Sequence, residues 1–170
     1  PNSTSVHYMN GWYHALINEV DEAADEMKKA IEIDPLDPRW PGNLAWLYQW
    51  SGRNEESLIY AEKTLNVNPK FPMAFYVRGM VYSVMGRHEE AIETQKIIYT
   101  PRSGFAWGLG VAYALAGQKD KALEIAADIE KRQNRRWFAW GLAEIYAALG
   151  DDDMAVHWIE EAYRLKHDFI

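Results

Sequence analysis

The chain has 170 residues, 48% hydrophobic and 14% aromatic, and a formal net charge of −7, so it is long enough to bury one core and too acidic for a surface that displaces counterions from nucleic acid. It contains no cysteine, which excludes a disulfide framework, a thiol nucleophile and a thiolate metal site. Its longest uncharged apolar run, GFAWGLGVAYALAG from Gly104 to Gly117, is too short to span a bilayer, so no membrane contact is expected and the cytoplasm is the predicted location, the periplasm also being compatible.

The chain opens on Pro1, which predicts a processed or excised piece of something longer. Ser3, Thr4 and Ser5 can cap a helix beginning near Val6, and a first helical hairpin is predicted over about 6–18 and 20–33. Its second helix, VDEAADEMKKAIEI, places acids early and Lys28 and Lys29 late, as the helix dipole favours. DPLDPRWP at 34–41 reads as a turn between repeats. Further hairpins are predicted over about 42–67, 72–99, 104–133 and 136–166. The last one enters its second helix through Asp151, Asp152 and Asp153, three acids that read as a cap rather than a metal site. Lys131, Arg132, Arg135 and Arg136 cluster between the fourth and fifth hairpins and read as complements to a helix C-terminus.

A fixed period runs through these hairpins. Small residues stand at Gly11, Ala45, Gly79, Gly110 and Ala143, a ring three residues later at His14, Tyr48, Tyr82, Tyr113 and Tyr146, and a turn former seven later at Asn18, Gly52, Gly86, Gly117 and Gly150. Twelve after the first column come Ala23, Ser57, Ala91, Ala122 and Ala155, and the first three units close on Pro35, Pro69 and Pro101. Small residues let two helices approach, the ring fills the space beside them, and a residue able to take φ > 0 ends the first helix. One hairpin cannot bury its own apolar face, so the units must stack.

These columns resemble the tetratricopeptide repeat over nearly the whole chain. His14 and Asn18 depart from the usual Tyr and Gly, and the last two units lack the closing Pro. The resemblance implies an all-α, right-handed α-α superhelix, a solenoid of about five hairpins forming one domain over 1–170, with repeats at about 4–37, 38–71, 72–102, 103–135 and 136–170. The final LAEIYAALGDDDMAVHWIEEAYRLKHD, with Trp158 and Glu160-Glu161-Ala162-Tyr163, is also similar to the last repeat of tetratricopeptide tails on bacterial signalling proteins of the TolB-like, winged-helix regulator and adenylate cyclase type.

Positions three before, one after and five after each small residue lie along one side of a helix. In this family that stripe faces the concave groove that holds extended peptides. The resemblance therefore implies a groove carrying Tyr8, Trp12, Trp46 and Trp50, then Tyr76 and Met80, then Trp107 and Trp140, with Arg39, Asn43, Gln49 and Glu144 as polar neighbours. Either first helices bury these rings against one another or a partner covers them. Both hold if Trp46 and Trp107 pack inside while Tyr8, Trp12, Trp50, Tyr76 and Trp140 stay partly open. Of the Lys, Asn and Arg that clamp a C-terminal carboxylate in the chaperone-binding subclass, only Asn43 has a counterpart, the other positions offering Tyr8, Trp12, Met73 and Val77.

His7, His14, His88, His157 and His167 form no metal-binding helix motif, and there is no phosphate loop, nucleophile elbow or dinucleotide fingerprint. The expectation is a non-catalytic scaffold with no cofactor or metal, binding a segment of another protein. Two alternatives stay open: self-association through the C-terminal end around Tyr163, Phe169 and Ile170, or a regulatory module of a larger signalling protein; and a small molecule or sugar in a Trp-lined concavity.

Overall fold

The computed structural model describes residues 3–100, 103–132 and 135–165, the backbone alone for 135–137. Ten helices form among the described residues, with no strand: α1 (Thr4–Leu16), α2 (Val20–Ile33), α3 (Arg39–Trp50), α4 (Asn54–Val67), α5 (Pro72–Val84), α6 (His88–Ile98), α7 (Trp107–Leu115), α8 (Lys119–Glu130), α9 (Arg135–Ala148) and α10 (Asp152–Arg164). The fold class is the all-α helical-repeat solenoid. None of these helices is long and apolar enough to cross a membrane.

Every first helix ends in the same way. Asn18, Gly52, Gly86, Gly117 and Gly150 all take φ between 64° and 75°. The amide of the next residue reaches back to the ring-column carbonyl, as in Glu19 to His14 at 2.9 Å, Arg53 to Tyr48 at 2.8 Å and Asp151 to Tyr146 at 2.9 Å. This is the double-bonded helix stop that a left-handed residue permits, and it turns the chain into its second helix. Asn18 fills the role because its short polar side chain tolerates that region. Ser3 and Asp151 cap α1 and α10 by accepting the amides of Val6 and Met154, as their sequence positions predict.

The chain forms two compact units that divide inside α5, between Val81 and Tyr82. In the first, α1 packs on α2, α3 on α4, and α2 on α3. Ala23, Ala24 and Met27 of α2 meet Leu44, Leu47 and Tyr48 of α3 in one apolar cluster, with Ile31 at its edge. Ser57 donates its hydroxyl to the Ala45 carbonyl at 2.8 Å, so two small-residue columns touch and the buried hydroxyl is satisfied.

In the second unit α7 packs on α8, α9 on α10, and α7 on α6 and α9. Gly108 and Gly110 allow that approach: a Cβ on either would stand 2.5 Å from Gln95 or Ile145. Arg132 locks the end of α8, donating to Asp128 at 2.7 Å and to the Thr100 carbonyl at 3.1 Å, so this member of the basic cluster is a structural pin. The side chains of Arg135 and Arg136 lie outside the described residues, as do Pro101, Phe169 and Ile170.

Two helix starts lie about three residues from expectation. Helix α3 starts at Arg39 rather than about 42, because Pro41 falls in the first turn, where the amide it lacks would have no partner. Helix α7 starts at Trp107 rather than 104, because the Phe105 amide donates to Ser103 Oγ at 3.2 Å in a turn that precedes the helix.

Candidate functional site

In the first unit, spacings of four set Tyr8 below Trp12 on α1 and Trp46 below Trp50 on α3. Their rings interlock. Trp12 lies 6.3 Å from Tyr8, 6.0 Å from Trp46 and 5.7 Å from Trp50, and Trp46 lies 5.4 Å from Trp50 and 6.5 Å from Tyr76. All five contacts are edge-to-face, the arrangement aromatic quadrupoles favour, at about 0.5–1.5 kcal/mol each beyond burial. Trp46 is buried at the centre, Tyr8 and Trp12 are half-buried, and Trp50 presents 51% of its surface to solvent. Tyr76 is only 2% exposed, which corrects the expectation that it stays open: it seats against Trp46 on the inner side of the cluster.

Sequence reasoning missed Trp40, which joins the cluster 5.5 Å from Tyr8. It sits in the proline-dense stretch read as a turn; the signal was the tolerance of Pro41 within a first helical turn. The indole N–H groups of Trp12 and Trp40 are buried without a hydrogen-bond partner. Each such group costs about 1–3 kcal/mol, which the ring contacts must offset.

Two of the polar neighbours, Asn43 and Arg39, are committed elsewhere. Asn43 is buried and donates to the Arg39 carbonyl at 2.7 Å, stabilising its own helix. Arg39 forks onto Asp37 at 2.8 Å and lies 5.0 Å over the Trp40 ring. That guanidinium holds the Asp37 carboxyl below its usual range. Gln49 and Met80 are half-buried.

In the second unit Trp107 is buried and Trp140 is 42% exposed. Glu144 joins them: one carboxylate oxygen accepts Trp107 Nε1–H at 2.9 Å and the other accepts Trp140 Nε1–H at 2.6 Å. Gly141 makes room, since a Cβ there would fall on the Trp107 ring. The sequence placed these three residues in one stripe, and the structure adds the bond that holds them.

Two of the histidines are structural neighbours of acids, and His167 lies outside the described residues. His7 bonds Glu26 and His14 bonds Glu19, both at 2.7 Å. Among the described residues no group of three or more His, Asp or Glu side chains is placed to hold a metal. A shallow cavity of about 300 Å³ lies against α6, α7 and α8, lined by Glu89, Ile92, Glu93, Lys96, Tyr113, Gln118 and Lys121. It contains no Trp. Its cations are engaged, Lys96 with Glu93 at 2.7 Å and Lys121 with Gln118 at 2.8 Å.

Residues 104–128 and 139–168 match the tetratricopeptide repeat family. No curated protein sequence matches the chain. Among solved structures it is similar to TTC0263, a thermophilic tetratricopeptide repeat protein of Thermus thermophilus, with a TM-score of 0.76 at 20% identity over 98% of this chain and 93% of that one. It is similar to MamA of Desulfovibrio magneticus RS-1 with a TM-score of 0.60 at 15% identity, over 99% and 98%. YrrB, described as a tetratricopeptide repeat protein with an unusual peptide-binding site, gives 0.54 at 17% over 96% and 86%. The recurring left-handed turn, the touching small-residue columns, the two matched segments and the shared fold lead to one conclusion: the chain carries tetratricopeptide repeats at 104–128 and 139–168 within a helical-repeat fold that it shares with proteins of that family.

Proposed function

We propose that the protein is a non-catalytic scaffold that holds a peptide segment of a partner protein against the aromatic faces of its first helices. Trp50 carries this reading. It is a large, half-exposed indole whose orientation is already fixed by Trp12 and Trp46 beneath it, so contact with a ligand forfeits little side-chain entropy. Tyr8 and Trp12 extend that surface in the first unit, and Trp140, oriented by Glu144, offers a second anchor of the same kind. The fold shared with YrrB, a protein with a peptide-binding site, supports the reading. The net charge of −7 favours a neutral or cationic segment. We place the protein in the cytoplasm, with no nucleic acid or membrane as partner. The described cavity is polar and lacks Trp, so it lends nothing to a stacked small molecule.

Peptides selected from a random library on the immobilised protein, then titrated calorimetrically, test the proposal. Trp50→Ala is expected to weaken the best binder about tenfold or more, the loss usual for an anchoring aromatic, and Trp12→Ala and Trp140→Ala to weaken binders that reach them. A library yielding no binder, or binders indifferent to all three substitutions, would sink it.

A further inference from the structure

The repeat shows which faces of each hairpin its neighbours cover. In each first helix, the positions five before, two before and two after the small residue face the preceding hairpin. In α3 they are Trp40, Asn43 and Leu47, in α5 Ala74, Val77 and Val81, and in α9 Phe138, Gly141 and Ile145, all buried. In α7 Gly108 and Ala112 are buried, and Phe105, in the turn before that helix, is half-buried. Direct contacts fix the direction: Gly108 lies on Gln95 of α6, Gly141 on Trp107 and Ile145 on Gly110 of α7. In α1 the same three positions are Val6, Met9 and Tyr13. All three are apolar and all three are exposed, Met9 by 70%.

The matching face of a second helix lies 13, 16 and 20 residues after the small residue. In α2 it is Ala24, Met27 and Ile31, which pack with Leu47 of α3 in one cluster; the middle position is also buried in α4, α6 and α8, as Ala61, Gln95 and Ala126. In α10 the three positions are Val156, Ile159 and Tyr163, exposed by 54%, 49% and 87%.

Helices α1 and α10 therefore expose two unlike apolar faces, each being the half that meets the other wherever two hairpins stack. We propose that these faces pair between copies of this chain, α10 of one protomer lying on α1 of the next, as α2 lies on α3, α6 on α7 and α8 on α9. Charge does not oppose it: α1 contains no Asp, Glu, Lys or Arg, whereas α10 carries Asp152, Asp153, Glu160, Glu161 and Arg164. The contact is heterologous, so it propagates head to tail rather than closing as a two-fold dimer. It goes beyond peptide capture and uses neither Trp50 nor Trp140.

Two exposed positions supply the test, Met9→Glu at one end and Ile159→Glu at the other, with circular dichroism to confirm that helix content is kept. By light scattering up to about 1 mM, the scale for a contact of a few side chains, wild type should grow in mass with concentration. Each variant alone should be monomeric, because its one intact face finds only a spoiled one. An equimolar mixture should give a dimer and stop there, since the intact α10 of Met9→Glu meets the intact α1 of Ile159→Glu. A wild type that is monomeric throughout, a single variant that still assembles, or a mixture that stays monomeric would each overturn the proposal.

Discussion

The two units solve the same problem in opposite ways. Both carry Trp on the stripe of their first helices, yet the first unit packs ring edge on ring face and leaves the indole N–H of Trp12 buried without an acceptor. In the second unit the position that holds Trp12 in α1 and Trp46 in α3 is Glu144 in α9, which gives each of two indoles an oxygen. A stripe position thus chooses between dispersion and charge-assisted hydrogen bonding. The first choice makes a tolerant apolar surface, and the second a rigid pair of rings.

Removing the central ring of the first cluster is the severest way to break that contrast. Trp46→Ala deletes a buried side chain touching Trp12, Trp50 and Tyr76, and should cost about 3–5 kcal/mol in urea unfolding, whereas Trp50→Ala should stay within about 1 kcal/mol because half its surface is already wet. Equal losses would mean that the cluster is not organised around Trp46. Next comes Gly141→Ala, which drives a Cβ into the Trp107 ring and should cost about 1–3 kcal/mol as overpacking, read as a lower melting temperature. Glu144→Gln follows: the amide has one acceptor oxygen for two indoles, so one charge-assisted hydrogen bond is lost, at about 1–3 kcal/mol. A double-mutant cycle with Trp140→Phe should show coupling, and additivity would dissolve the pair.

The turns offer a finer comparison. Gly150→Ala places a Cβ at φ +73° and should cost about 1–2 kcal/mol, while Asn18→Gly should change stability by only a few tenths. The turn former was readable from the sequence as a column, Asn18 included, because left-handed φ is a local demand that few residues meet. The hairpins were readable for the same reason. Burial of Tyr76 was not, since it depends on how α5 seats against Trp46 rather than on its own helix. Trp40 hid in a proline-rich stretch where local signals favoured a turn. The bond from Trp107 to Glu144 spans 37 residues, and no periodicity within a helix reports it.

The smallest effects separate the units by pH. In the first, hydrogen bonds from Lys29 and then His7 bring the Glu26 carboxyl down to about 2 from 4.5. A depressed folded value means that this contribution is present above about 4.5 and is lost as pH falls towards 2. In the second unit, burial and then the hydrogen bond to Asp128 push the Tyr99 hydroxyl up to about 12 from 10. A raised folded value has the opposite sign, full below about 10 and lost as pH rises to 12. Both groups are partly in solvent, so screening should hold each term to about 1 kcal/mol or less. Melting temperature against pH should therefore fall at both ends, Glu26→Gln flattening only the acid limb and Tyr99→Phe only the alkaline one. Either substitution altering the other limb would show that the two units do not titrate as separate local networks, and the contrast between them would lose its electrostatic half.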